Sequence, residues 1–330
     1  MVNPLRIAAS PLSTVWQFGE PLSHLRHSPE LLVPLRRRGG TTLERPRVAL
    51  PPGHVADVPG AGELFYRDTG PVRGRGPNRG TLLLLHGWMV PSDAHWMRTF
   101  GALHARGWRV IAMDARGHGR GLRTSERFRI ADCAEDAIAL IKHLDPGPVT
   151  VVGYSMGGLI AQLIAYRAEP GLVAGAALCA TGCEFRSSLA MRAVWSGMSV
   201  LQVGWQLAPQ PVWGTLTKLM LRTNFDTADW MVGELARGAA WDIAEAGREI
   251  GRFDSRPWLE EIEVPVVVLV TLADLLVPPS RQRDLAERLG APMVEINADH
   301  LAPATTPRRF HDGLVEVLGL LARGSLAAVG

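Results

Sequence analysis

Four residues rich in β-branched side chains, Val149-Thr150-Val151-Val152, run directly into Gly153-Tyr154-Ser155-Met156-Gly157-Gly158. No spacer separates that segment from the apolar helix expected over residues 157–168. A buried strand that must reverse into a helix within two residues constrains this chain more than any other feature it carries. Such a bend leaves one side chain, Ser155, exposed at a helix N-terminus and crowds the positions two before and two after it. Glycine at 153 and 157 relieves that crowding. A serine hydroxyl is a weak nucleophile, and acyl transfer requires it to be presented in this way beside a base. The five-residue pattern alone recurs by chance; the strand before it and the helix after it make it specific.

The flanking sequence repeats the same alternation. Strands are expected at about 63–68, over Thr81–Leu85, Arg109–Ala112 and Val173–Cys179, with helices over Met97–Arg106 and Ile130–Leu144. Near residue 185 the rhythm stops. Residues 186–257 read as helices carrying Trp195, Trp205, Trp213, Trp230 and Trp241. After Pro257 it resumes, with strands Val264–Val270 and Met293–Ile296 and helices Ser280–Leu289 and Phe310–Ala322. Short continuous apolar runs separated by helices imply an α/β fold, a mostly parallel sheet with helices on both faces. The expected organisation is an extended arm over 1–50, a core over 51–185 and 258–330, and a helical lid over 186–257.

If Ser155 is the nucleophile, an acid and then a histidine should follow it, on loops at the carboxyl ends of strands. Asp274 follows the strand ending near Val270, and His300 follows the strand ending at Ile296. His300 would take the serine proton, and Asp274 would fix the imidazole tautomer. His311 is the only other histidine beyond Ser155, and it falls inside the last expected helix. For the acid, Glu184 is the main competitor, while Asp299 is better placed as a turn residue. Backbone N–H donors for an oxyanion are expected from Met156 and, in His86-Gly87-Trp88-Met89, from Trp88. His86 is read as a brace for that loop. The glycines of Asp114-Ala115-Arg116-Gly117-His118-Gly119 have the wrong spacing for a dinucleotide.

Composition excludes several classes. A net charge of +3 on 330 residues gives no reason for a polyanionic partner, so no nucleic acid is expected. Cys133, Cys179 and Cys183 lack metal-ligand spacing and read as buried thiols in a reducing, cytoplasmic setting. Apolar runs are too short to span a bilayer. The arm carries Trp16, Phe18 and Arg36-Arg37-Arg38. Membrane contact through these residues is weighed below a surface-wrapping role.

The Trp88 loop, the Asp114–Gly119 segment, the Ser155 turn, the late Asp274 and the late His300 together resemble the α/β-hydrolase family over residues 50–325. Within it the chain is most similar to small bacterial serine esterases and cofactor-free haloperoxidase relatives. The resemblance implies a Ser155–His300–Asp274 triad, oxyanion donors Trp88 and Met156, and no metal or organic cofactor. It implies cleavage of an ester or related acyl bond. Thioesterase, amidase, lactonase, acyltransferase, carbon–carbon hydrolase and perhydrolase activities stay open, because one triad serves all of them. A non-catalytic binding protein is the alternative from another class. The tryptophans and methionines of the insertion suggest an apolar pocket and a small hydrophobic substrate, although such residues more often pack a lid onto a core.

Overall fold

The computed structural model describes residues 49–73, 77–185, 197, 228–235 and 237–327. Apart from residues 49 and 50, the N-terminal arm lies outside the described residues, as do Trp195, Trp205, Trp213 and most of the first half of the insertion. Eight strands form one sheet in the order β1-β2-β4-β3-β5-β6-β7-β8. They are β1 (Gly53–Val58), β2 (Gly62–Asp68), β3 (Thr81–Leu85), β4 (Arg109–Met113), β5 (Val149–Tyr154), β6 (Val173–Cys179), β7 (Val266–Thr271) and β8 (Met293–Ile296). β2 runs antiparallel to both β1 and β4; every other pairing is parallel. This is the α/β-hydrolase fold.

The helices are α1 (Ser92–Trp96), α2 (Phe100–His104), α3 (Ile130–Leu144), α4 (Met156–Arg167), α5 (Ala228–Leu235), α6 (Ala240–Ile250), α7 (Pro279–Leu289), α8 (Ala302–Thr305) and α9 (Pro307–Ala327). All five residues of β3 are buried, as a central strand covered on both faces must be. Its alternate side chains feed two cores. Leu83 and Leu85 join Ile138, Ile160 and Leu285 from α3, α4 and α7. Leu82 and Leu84 join Trp96, Phe100 and Phe310 from α1, α2 and α9. Among the described residues no helix is long and apolar enough to cross a membrane.

Four features differ from the sequence expectation. β1 was not expected: as an edge strand it buries only Ala56 and Val58, and its other four residues are exposed, so it has no apolar run. The helix expected over Met97–Arg106 is present only as the short α2, Phe100–His104, and a separate short α1 precedes it from Ser92, after Pro91. They are parted at Thr99, which is buried with its hydroxyl oxygen 3.2 Å from His311 Nε2 of α9. β7 starts at Val266, after Pro265, and extends to Thr271, while α9 extends to both sides of the expected Phe310–Ala322.

Candidate active site

The turn between β5 and α4 is built by close backbone approach. Ser155 has φ 54° and ψ −115°, a conformation rare for a residue with a side chain. Its N–H donates to Cys179 O of β6 at 2.9 Å, and its carbonyl accepts from Thr181 Oγ1 at 2.9 Å. The bend is thereby pinned to the neighbouring strand end. A Cβ on Gly157 would overlap the Leu85 carbonyl of β3, and one on Gly153 would overlap the carbonyl of Gly157. Gly157→Ala is therefore expected to melt roughly 5–10 °C below the parent protein. Gly101→Ala, where an added methyl meets nothing within 4 Å, should leave the melting temperature unchanged; thermal denaturation followed by circular dichroism checks the pair.

Ser155, His300 and Asp274 are brought together from three strand ends. His300 Nε2 lies 2.9 Å from Ser155 Oγ, and its Nδ1 lies 2.7 Å from Asp274 Oδ2. The carboxylate is held from every side. Oδ1 accepts the N–H groups of Leu276 and Val277 at 2.9 and 2.8 Å. Oδ2 also accepts the Thr271 hydroxyl at 2.8 Å and the Gln282 amide at 3.3 Å. An acceptor-only group at Nδ1 puts the imidazole proton there and leaves Nε2 free to accept from the serine hydroxyl.

The competing residues are engaged elsewhere. Glu184 Oε1 pairs with Arg281 at 2.8 Å. Asp299 Oδ1 accepts from Leu301 N at 2.9 Å and Thr305 Oγ1 at 3.0 Å, the turn role expected of it. His311 sits in α9.

His86 braces the loop after β3 in a definite way. Its Nε2 accepts the N–H of Ala115 at 2.9 Å, so its Nδ1 carries the proton and donates to Gly87 O at 2.8 Å. Burial lowers its pKa and keeps it neutral. Next along the loop, Trp88 donates its indole N–H to Ile243 O of α6 at 2.7 Å, and Met89 takes φ 69°. The glycine-bearing segment after β4 is a seat for α6. Ala239 N donates to Gly117 O at 2.8 Å, and any side chain at Gly117 would strike Asp242 of α6.

Besides Thr271 and Gln282, which hold Asp274, two more residues at the site escaped the sequence reading. Tyr154 donates its hydroxyl to His300 O at 3.0 Å, fixing the loop that carries the histidine. His95 Cε1 and Ser155 Cβ both flank Gly87, and the His95 ring packs 4.9 Å from that of Tyr154. Burial holds the His95 pKa well below that of a free imidazole. Neither has a local signal: a tyrosine within a strand and a histidine on a short helix read as packing. Among the described residues, no group of acidic, histidine or cysteine side chains is arranged to hold a metal ion.

Residues 76–300 match the family model described as "Serine aminopeptidase, S33". The 3-oxoadipate enol-lactonase 2 of Acinetobacter baylyi is 25% identical over 214 residues, covering 63% of this chain and 78% of the relative. The non-heme haloperoxidase of Rhodococcus erythropolis is 38% identical over 117 residues, covering 35% of this chain and only 39% of the relative. Among solved structures, the enol-lactonase from Burkholderia xenovorans superposes with a TM-score of 0.68 at 24% identity, covering 81% of this chain and all of that one. The bromoperoxidase from Bacillus anthracis gives a TM-score of 0.69 at 20% identity, with the same coverage of both. These two likenesses show the fold.

Proposed function

The chain belongs to the serine aminopeptidase S33 family of α/β hydrolases, and from that premise we propose that it cleaves a carboxylic ester or lactone through an acyl-enzyme on Ser155. The observation that carries this reading is the continuous path from Asp274 Oδ2 through the His300 imidazole to Ser155 Oγ, with contacts of 2.7 and 2.9 Å. His300 takes the hydroxyl proton as Oγ attacks the carbonyl carbon, then returns it to the leaving oxygen. Water repeats the sequence on the acyl-enzyme. The N–H groups of Trp88 and Met156 receive the negative charge on the tetrahedral oxygen. These side chains and backbone donors handle every proton and charge, so the mechanism calls for no cofactor.

An oxygen leaving group is preferred to an amine because the relative matched over 63% of this chain is an enol-lactonase. Leu275 and Leu276, 92% and 61% exposed on the loop that carries Asp274, support a hydrophobic substrate. The three cysteines are free and buried, which supports a reducing, cytoplasmic setting.

The test is a panel of p-nitrophenyl esters, lactones, thioesters and aminoacyl anilides offered to the purified protein. Esters or lactones should turn over at least about 100-fold faster, by kcat/KM, than anilides of matched acyl chain, a gap of about 2.7 kcal/mol in transition-state stabilisation. Faster cleavage of the anilides would move the reading to the peptidase activity named in the family description.

A further inference from the structure

We propose that helices α5 and α6 hold in position the loop bearing the oxyanion donor Trp88, through the indole of Trp88 and the carboxylate of Glu234. This rests on the reading above, in which the Trp88 N–H faces the developing charge. The segment from Gly87 to Trp96 is linked to helices more than a hundred residues away in sequence, directly at Trp88 and through Arg120 at Asp93. At its start, the Trp88 indole N–H donates to Ile243 O in α6 at 2.7 Å. At its end, Asp93 of α1 is buried and receives Arg67 through two bonds of 2.6 Å and Arg120 at 3.1 Å. The same Arg120 guanidinium grips Glu234 of α5 through bonds of 2.9 and 3.1 Å. Glu234 is itself buried. The two-bond Arg120–Glu234 pair is directional, and Glu234 also accepts from Arg237 at 3.0 Å, so the buried carboxylate is held between two guanidinium groups.

Between these anchors stands Met89, at φ 69°. A side-chain-bearing residue keeps that conformation only where its surroundings over-determine it. The Trp88 N–H belongs to the Gly87–Trp88 peptide, directly before this constrained bend. The side of this loop nearer the sheet is already fixed by His86, which bonds Gly87 O and the Ala115 N–H. That bond to Gly87 O sets the plane of the peptide that carries the Trp88 N–H; the bond from the indole to Ile243 O sets where Trp88 itself stands, tying the donor residue to α6. Trp88 and Glu234 are thus positioning residues, and α5 and α6 contribute to transition-state binding without touching the oxyanion.

Removing an oxyanion donor outright costs about 10²–10³ in kcat; turning it aside costs part of that. Trp88→Phe, which keeps the ring and loses the N–H, is expected to lower kcat about tenfold with KM within about twofold, because the effect falls on the transition state. Affinity for phenylboronic acid, which adds to Ser155 as a tetrahedral mimic, should weaken by a similar factor. Glu234→Gln should move both quantities in the same direction by about threefold, and it keeps the proposal testable should the tryptophan variant fold poorly. Rates are normalised to active sites titrated with a fluorophosphonate. A merely structural role would reduce the titre and the melting temperature while leaving kcat per site and boronate affinity alone, and that result overturns the proposal. So would unchanged values in both variants. The reading beneath it fails separately, if Ser155→Ala keeps its turnover.

Discussion

Ser155→Ala removes turnover of short p-nitrophenyl esters, lowering kcat by roughly 10⁴- to 10⁶-fold, while the protein folds and melts as before. The size of the effect follows from the hydroxyl being the atom that attacks. Once it is gone, His300 has no proton to take, and catalysis falls back on the oxyanion donors and on binding. That the fold survives follows from what the side chain does not do. Residue 155 is tied to the sheet through its backbone, by the bond from its N–H to Cys179 O and the bond from Thr181 to its carbonyl. Alanine keeps both. The left-handed φ of 54° is as demanding for serine as for alanine, so the exchange adds no new backbone strain. The variant should also fail to react with a fluorophosphonate. Labelling at the parent rate would place the nucleophile at another residue and end the present reading.

Much of this was legible in the sequence, for reasons that differ residue by residue. β3 and β5 are covered on both faces, and that burial writes itself as a continuous apolar run. β1 has one face in solvent and is antiparallel at the sheet edge, so its six residues carry only two buried apolar positions. Ser155 was legible because its bend needs glycine at 153 and 157, a requirement set by backbone contacts with Leu85 and within the turn itself. That His300 lies within hydrogen-bond reach of both Asp274 and Ser155 agrees with the chain order and their placement after strands. The supports around them were not legible. Gln282 reaches Asp274 from α7, Tyr154 reaches the His300 carbonyl from β5, and Arg120 joins Glu234 to Asp93. Each links segments that only the folded topology brings together, and no periodicity or spacing announces such a pair. The Asp114–Gly119 segment shows the same limit. Its glycines could be excluded as a nucleotide loop, but their use as a seat for α6 depends on Asp242, far along the chain.

Asp274→Asn should lower kcat by about 10⁴-fold, and the hydrogen bonds around the carboxylate say why so conservative a change is so damaging. Oδ1 accepts two backbone N–H groups, from Leu276 and Val277. An asparagine can satisfy those only with its carbonyl oxygen, which forces its NH₂ group into the place of Oδ2. There it faces His300 Nδ1, 2.7 Å from the present oxygen. A donor at that position requires a lone pair on Nδ1, so the imidazole proton moves to Nε2 and points at Ser155 Oγ. The ring stays in place with the wrong tautomer and no longer accepts the serine proton. The same NH₂ also meets the Gln282 amide, whose hydrogen bond to Oδ2 is lost. Glu184→Gln is the control, because that carboxylate pairs with Arg281, away from the imidazole. It should change kcat by less than about threefold. Steady-state kinetics on the two variants, with active sites titrated, decide between the acids: if the asparagine variant is nearly as active as the parent and the glutamine variant is not, the carboxylate that orients His300 is Glu184.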